Sequence, residues 1–397
     1  MRDPSLKPWL TIIGIGEDGL SGLSEASRKA LIHAETVFGG ERHLALAGID
    51  GRGRLWPVPF EVDCVLACRG QPTAVLASGD PFWHGVGTTL AERLNSSEWI
   101  AHPAPSTFSL AAARLGWPLE RVACVGLHAR PFETLVPHLA QGARIICLLR
   151  DGNAIANLAE WLTSCGWGES QLWTLAAMGG SRESIAQYRA DNYTGKPASD
   201  LIAVALEAKG SPGLPRSCGL SDALFIHDGQ ITKRPSRALA LSALAPRRDE
   251  RLWDIGAGSG SISIEWALRG GTAVAIESRS DRAANIRGNA ARFGVEKLVA
   301  VVEGNAPGVL AEIDLPEAVF IGGGLDGAMF ACLWPLLPPK TRLVAHAVTL
   351  ETQALLTELH QRHGGELMRI EIAHTGRLGR YHCWEPDRPV VQWSTVT

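Results

Sequence analysis

No stretch of this sequence approaches the roughly 18 consecutive apolar residues that a membrane-spanning helix needs. The first residues, Met1-Arg2-Asp3-Pro4, lead into a short apolar strand, Leu10-Thr11-Ile12-Ile13, with no long apolar core ahead of a small-residue cleavage site. We therefore expect a cytoplasmic protein with no secretory signal and no membrane partner. Excess charge of one sign is also missing: 38 Lys and Arg stand against 41 Asp and Glu, for a net charge of −3. That balance argues against a nucleic-acid partner, whose affinity would come from neutralising many phosphates. Metal-ligand spacing is lacking too. The eight cysteines are scattered, Cys64 and Cys68 are the closest pair, and no second pair or His cluster completes a zinc site. The expectation is no metal and reduced, mostly buried thiols. There is no short-period repeat and no motif for a Ser–His–Asp triad.

What remains is an ordinary globular composition over 397 residues, 46% of them hydrophobic, enough for two domains with separate cores. The segment 209–218 is rich in Gly and Pro and reads as a linker between 1–208 and 219–397. An apolar strand, a Gly-rich turn and an amphipathic helix recur in both halves, which predicts an α/β protein with parallel sheets flanked by helices. In the first half, strands are expected at 10–15, 74–77, 143–149 and 201–206. Ser24 is expected to cap a helix carrying Ala26, Ala30, Leu31 and Ala34 on one face. In the second half, strands at 252–255, 272–276, 298–302, 318–321 and 342–345, followed by late strands at 367–373 and 390–393, predict a doubly wound, Rossmann-like sheet.

The strongest motif is Asp254-Ile255-Gly256-Ala257-Gly258-Ser259-Gly260, directly after a strand and directly before a helix. Gly256 permits the tight turn, Gly258 lets a ligand approach the backbone, and Gly260 opens the helix. Glu277 ends the next strand, where a carboxylate can accept hydrogen bonds from both hydroxyls of a ribose. A dinucleotide site would place its third glycine one residue later and would not set Asp254 beside a pyrophosphate. That carboxylate suits an ammonium group instead, so the ligand reads as S-adenosylmethionine, and the motif resembles the first motif of class I methyltransferases. Asn305 and Ala306 follow the third strand, where adenine is expected, and Gly322-Gly323-Gly324 after the fourth leaves room for a flat, bulky substrate.

In the first half, Gly14-Ile15-Gly16-Glu17-Asp18-Gly19 matches G-x-G-x-x-G, but the acidic residue expected at the end of the second strand is missing. More informative is Ser78-Gly79-Asp80-Pro81-Phe82-Trp83-His84-Gly85. Together with 39–43, 105–109 and 127–131, it resembles the tetrapyrrole (corrin/porphyrin) methylase family, with His84 where that family commonly has Tyr. The resemblance implies two α/β lobes clasping S-adenosylmethionine, with Gly14, Gly79, Asp80, Ser106 and Ser109 on the motifs that line the cleft. Trp83 is expected to line it or to pack in the core.

The whole chain, over about 8–208 and 219–397, resembles the bifunctional, decarboxylating corrin-ring methyltransferases of cobalamin biosynthesis. That resemblance implies methylation of precorrin-6B at C5 by the first domain. It implies methylation at C15, with loss of the ring C acetate carboxyl, by the second, giving precorrin-8. It also implies that Thr232 touches S-adenosylmethionine. Such a macrocycle carries many carboxylates, which Arg side chains can grip bidentately. Arg42, Arg130, Arg237, Arg377 and Arg380 are the candidates, against the plainer reading of solvated arginines. His346 and Glu351, after the fifth strand, are proton-transfer candidates, and Arg237 joins them as a catalytic candidate. A homo-oligomer is expected from related domains. Three other readings remain open: a two-domain nicotinamide oxidoreductase, a non-catalytic metabolite-binding protein, and a methyltransferase for another substrate such as RNA.

Overall fold

The structure, a computed structural model, describes residues 8–196 and 202–397. Met1–Pro4, and Leu201 at the start of an expected strand, lie outside the described residues. The chain divides into two compact units, Met1–Phe132 with His138–Pro212, and Glu133–Pro137 with Gly213–Thr397.

The first unit carries two five-stranded sheets. Strands β1 (Leu10–Ile15), β2 (Thr36–Gly39), β3 (Gly53–Leu55), β4 (Thr73–Ser78) and β5 (Trp99–His102) form a parallel sheet in the order β3-β2-β4-β1-β5. The helix Glu25–His33 that follows β1 starts where the Ser24 side chain accepts from the Ser27 backbone N–H at 3.1 Å. Ser27 and Leu31 are buried on it, whereas Ala26, expected on the inner face, is exposed.

The second sheet comprises β6 (Val122–Gly126), β7 (Arg144–Leu148), β8 (Gln171–Ala176), β9 (Ser184–Arg189) and β10 (Ile202–Glu207), in the order β6-β7-β10-β8-β9. Here the expectation of parallel strands fails. Only β6 and β7 run parallel, while β10 is antiparallel to β7 and β8, and β8 to β9. The short connection 177–183 between β8 and β9 reverses the chain as a hairpin does, and a parallel crossover needs a dozen or more residues.

The second unit is built on one large sheet. Its strands are β11 (Arg251–Ile255), β12 (Thr272–Glu277), β13 (Val299–Glu303), β14 (Ala318–Ile321), β15 (Arg342–Ala347), β16 (Glu366–Ile370) and, after a separate hairpin, β19 (Val390–Val396). The order is β13-β12-β11-β14-β15-β19-β16; the first five strands are parallel, and β19 is antiparallel to both its neighbours. The strand expected over 367–373 is in fact split. β16 stops at Ile370, and Ala373 opens the separate hairpin β17 (Ala373–Leu378) and β18 (Tyr381–Pro386).

Alternation along β11 sends Leu252 into one core and Trp253 into the other, so both faces of the sheet are covered. The strand order reverses between β11 and β14, which opens a crevice beyond their carboxyl ends. The glycine motif sits there. Among the described residues, no helix is long and apolar enough to cross a membrane. The thiols are less buried than expected: Cys147 is buried, but Cys165 and Cys332 are exposed.

Candidate active site

After β11 the backbone turns through Gly256 and Gly258 with φ of +67° and +59°, the left-handed region where a side chain is strained. A Cβ at either would meet a backbone oxygen only at 3.3 Å, Gly323 O or Gln230 O, so the turn keeps an accessible edge. Gly260 serves packing instead, since a Cβ there would lie 2.7 Å from Ile286 Cγ2 of the helix Ser280–Arg292. A Cβ at Gly322 would come within 3.2 Å of Gly256 O, whereas Gly323 and Gly324 have open space around them. Ala257 is half-buried within the turn.

The carboxylates hold this turn in place. Glu277 Oε2 accepts from Gly258 N at 2.9 Å and its Oε1 from Arg279 N at 3.0 Å. Asp254 Oδ2 accepts from Ser263 N at 3.1 Å and from Ser263 Oγ at 2.6 Å. Its other oxygen, Oδ1, is buried and has no hydrogen-bond partner, and the same is true of Ser259 Oγ. Burial pushes the Asp254 carboxyl up to about 6 against the pull of its Ser263 hydrogen bonds, with the nearby Glu277 charge adding to the rise.

Around the turn, Thr232 is half-buried, Asn305 is exposed and Ala306 is half-buried. His346 is 5% exposed on β15, with Nε2 2.9 Å from Gln392 Oε1 on β19 and the ring edge-on to Phe320. Burial holds this imidazole below its ordinary pKa, so it is neutral at pH 7. Glu351 is exposed in the first turn of the helix Leu350–His363, where its charge complements the helix N-terminus.

The first unit carries an open cavity of about 260 Å³. Asp80, Ser106 and Trp83 line it, beside His43, His84 and His128. Asp80 Oδ1 caps the backbone N–H of Phe82 at 2.9 Å, and Ser106 caps the helix Thr107–Leu115 by accepting from Ser109 N at 3.2 Å. Gly14 and Gly79 stand behind this wall. A Cβ at Gly14 would lie 1.9 Å from Gly79 O, and one at Gly79 would lie 2.8 Å from Ser106 Cα. These two glycines let three chain segments cross.

Residues 9–191 match the family model of tetrapyrrole (corrin/porphyrin) methylases, and residues 223–397 match that of a precorrin methyltransferase domain. A Sinorhizobium sp. protein named precorrin-6Y C(5,15)-methyltransferase (decarboxylating) is 49% identical over 400 residues, 98% of this chain and 96% of its own. The chain belongs to the precorrin-6Y C5,15-methyltransferase family. A Mycobacterium tuberculosis (strain CDC 1551 / Oshkosh) protein of the same name is 38% identical over 98% of this chain and 99% of its own. The crystal structure of the C-terminal domain of precorrin-6Y C5,15-methyltransferase from Rhodobacter capsulatus is 54% identical, covers 46% of this chain and 100% of that one, and has a TM-score of 0.46.

Membership of the precorrin-6Y C5,15-methyltransferase family sets aside the oxidoreductase and non-catalytic readings and makes a methyl donor part of the chemistry. The second unit fits S-adenosylmethionine on its own terms, because the turn leaves two buried polar atoms, Asp254 Oδ1 and Ser259 Oγ, unsatisfied at its edge.

Arg237 needs correction as a catalytic residue. It is fully buried, with Nε on Glu265 Oε1 at 2.7 Å, Nη1 on Asp222 at 3.0 Å and on Thr232 O, and Nη2 on Leu220 O. Its donors are committed within the protein, so it positions the Thr232 segment and does not meet substrate. Arg42 is committed too, to Glu17, and to Ser78 Oγ at 2.9 Å. Arg130 is exposed outside the cavity lining, and Arg377 and Arg380 lie exposed on or beside the hairpin, with Arg380 5.0 Å over the Tyr381 ring. Sequence reasoning missed Glu265, although a lone carboxylate in the otherwise apolar run Ile264-Glu265-Trp266-Ala267 signals a buried charge pair. It also missed Ser78 and His43, which are quoted in the motifs but carry no special spacing.

Proposed function

We propose that this chain methylates a precorrin-6Y-type tetrapyrrole at C5 and C15 and releases the ring C acetate carboxyl as carbon dioxide, with S-adenosylmethionine as donor. The first unit is assigned C5 methylation, and the second C15 methylation and decarboxylation. One observation carries the reading: Asp254 Oδ1 and Ser259 Oγ are withdrawn from water without partners beside a glycine turn. Polar atoms so placed call for a polar ligand, and a carboxylate among them calls for a cationic one.

When bound, S-adenosylmethionine supplies an electrophilic methyl group on a sulfonium. Asp254 and Ser259 hold its amino-acid end, with Gly256, Ala257 and Gly258 allowing close backbone approach. Glu277, already fixed by Gly258 N and Arg279 N, has lone pairs left for the ribose hydroxyls. Asn305 and Ala306 flank the base, and Thr232, tied back by Arg237, flanks the methionine. The meso carbons of a reduced tetrapyrrole are nucleophiles in their own right, so no side-chain nucleophile is required. The protein contributes alignment and a water-poor site. His346, neutral and oriented by Gln392, is the proposed proton-handling group for decarboxylation. In the first unit, Asp80 and Ser106 present polar groups to the cavity where the second donor and the ring edge would meet.

Self-association belongs to the same proposal, supported by the hairpin residues Leu378, Tyr381 and Trp384, which are 65%, 62% and 72% exposed. Free thiols at all eight cysteines support a reducing, cytoplasmic location. The test is incubation of the full chain with the tetrapyrrole and methyl-labelled S-adenosylmethionine, read by mass spectrometry and carbon NMR. Two labelled methyls gained, at C5 and C15, and one carbon dioxide lost are expected. A single methyl, or a retained carboxyl, overturns the assignment.

A further inference from the structure

Methylation of a meso carbon leaves chemistry unfinished. The carbon already carries one hydrogen. When it takes a methyl group through its π electrons, it becomes tetrahedral and the ring cationic. Conjugation returns only when the C–H bond breaks, with its electron pair returning to the ring and its hydrogen leaving as a proton. A group must take that proton.

The first unit holds such a group at its cavity wall. Ser78 is the last residue of β4, and its exposed hydroxyl lines the cavity. Ser78 Oγ lies 2.8 Å from His43 Nε2 and 2.9 Å from Arg42 Nη2, and Arg42 Nη2 lies 3.0 Å from the same imidazole nitrogen. Arg42 can only donate. Its Nη2 therefore donates to both Ser78 Oγ and His43 Nε2, and the Ser78 hydroxyl shares the Nε2 lone pair as a second donor at the shorter distance. This network assigns the neutral His43 proton to Nδ1, which is buried without a partner. Burial, then the Arg42 charge, push His43 down to about 4, so the ring is neutral at pH 7. Arg42 is itself paired with Glu17, whose other oxygen lies 3.7 Å from Arg182 Nη2. The remaining titratable groups on the cavity wall are Asp80, His84 and His128.

We propose that Ser78 and His43 form the proton relay of the C5 methylation: the C5 proton passes to Ser78 Oγ while the Ser78 hydroxyl proton passes to His43 Nε2. The relay rests on the assignment of C5 methylation to the first unit. A weakly basic imidazole is sufficient here, because a methylated ring cation is a strong carbon acid. The Ser78 hydroxyl touches the substrate, and His43 acts through it.

The experiment uses the full chain, the tetrapyrrole carrying deuterium at C5, and two variants, Ser78→Ala and His43→Gln. Ser78 is exposed, so Ser78→Ala keeps the fold even if His43→Gln does not. Wild type is expected to methylate C5 with a small isotope effect. Both variants are expected to slow loss of the C5 proton, and with it turnover, about 10²-fold, the lower range for loss of a general base. They should do so with a KM that falls along with kcat, a larger deuterium isotope effect, and a 5-methylated species that retains deuterium and has lost long-wavelength absorbance. A merely structural role would alter stability without raising the isotope effect. Variants that match wild type in rate and isotope effect overturn the relay alone. Wild type that places no methyl at C5 overturns the relay together with the assignment of the first unit.

Discussion

Two glycine-rich strand ends, one in each unit, look alike as letters and do different work. Gly14, after β1, would drive a Cβ to 1.9 Å from Gly79 O and 2.5 Å from Ala104 N. It is glycine because other backbone crosses it. Gly256, after β11, has a φ of +67° and 3.3 Å of clearance to the nearest backbone atom, so it is glycine because of its own conformation, and it leaves an edge accessible. The polar groups follow the same division. In the first unit Arg42, Glu17, Ser78 Oγ and His43 Nε2 bond to one another at the cavity wall, with His43 Nδ1 left without a partner. In the second unit Asp254 Oδ1 and Ser259 Oγ are left unsatisfied. The second unit's glycine turn borders uncommitted polar atoms directly, whereas Gly14 and Gly79 let chain segments cross close to the cavity wall of the first unit.

The comparison can be broken most forcefully through the buried charge network of the second unit. Glu265 accepts from Arg237 Nε and from the backbone N–H groups of Gly219 and Leu220, with no exposed side-chain surface. Glu265→Leu leaves the buried Arg237 cation with Asp222 as its remaining counter-charge and strips Gly219 N and Leu220 N of their acceptor, and should cost about 3–5 kcal/mol. In urea denaturation, the second unit's transition should move to lower urea while the first unit's stays in place.

Asp254→Asn should weaken S-adenosylmethionine binding to the second unit by tens of fold, equivalent to the roughly 1.5–3 kcal/mol of a charged hydrogen bond. The ligand-free second unit should be at least as stable at pH 8, because the substitution removes a buried charge. Calorimetry and thermal melts with and without ligand check both halves of the statement. Loss of ligand-free stability would show that Asp254 serves the fold.

The pH dependence sharpens the same point. Asp254 is raised in the folded protein from its ordinary 3.8 to about 6. The fold therefore favours the protonated form: that stabilisation is complete below about 4 and lost as pH rises through 6, on the order of 2–3 kcal/mol. Binding of a cation requires the charged form, so affinity should fall as pH drops below 6, and isothermal titration across pH 5–8 should record protons released on binding at the acid end.

A smaller effect is expected at Gly79→Ala, which meets Ser106 Cα at 2.8 Å at a φ of +55°. It should cost the first unit about 1–3 kcal/mol of stability, read by its melt, and leave the second unit's ligand affinity unchanged. The least effect is expected from Arg377→Ala, an exposed hairpin residue, within about 0.5 kcal/mol.

Much of this fold is legible in the letters. The strands at 10–15 and 318–321 lie where hydrophobic runs place them, and Ser24 caps its helix. The glycine turn and Glu277 come together as their spacing predicts, with Glu277 bonded to Gly258 N. Strands such as β5, β6 and β9 escaped, because four to six residues with partly or largely exposed side chains are too few to set a clear period. The arginines were the least legible. An Arg gripping a substrate carboxylate and an Arg neutralising a buried Glu265 have the same surroundings in sequence.

Local periodicity and backbone conformation are enough to give the alternation of strand and helix and the glycine turns at strand ends. Only the tertiary structure decided which polar atoms are spent and which are free. That Arg237 is consumed by Glu265, that Ser78 faces His43, and that Asp254 keeps one oxygen without a partner all depend on segments brought together from 28 to 35 residues apart, or on burial that such packing creates. Hydrogen-bond satisfaction is a property of three-dimensional neighbourhoods, and no local pattern of residues encodes it.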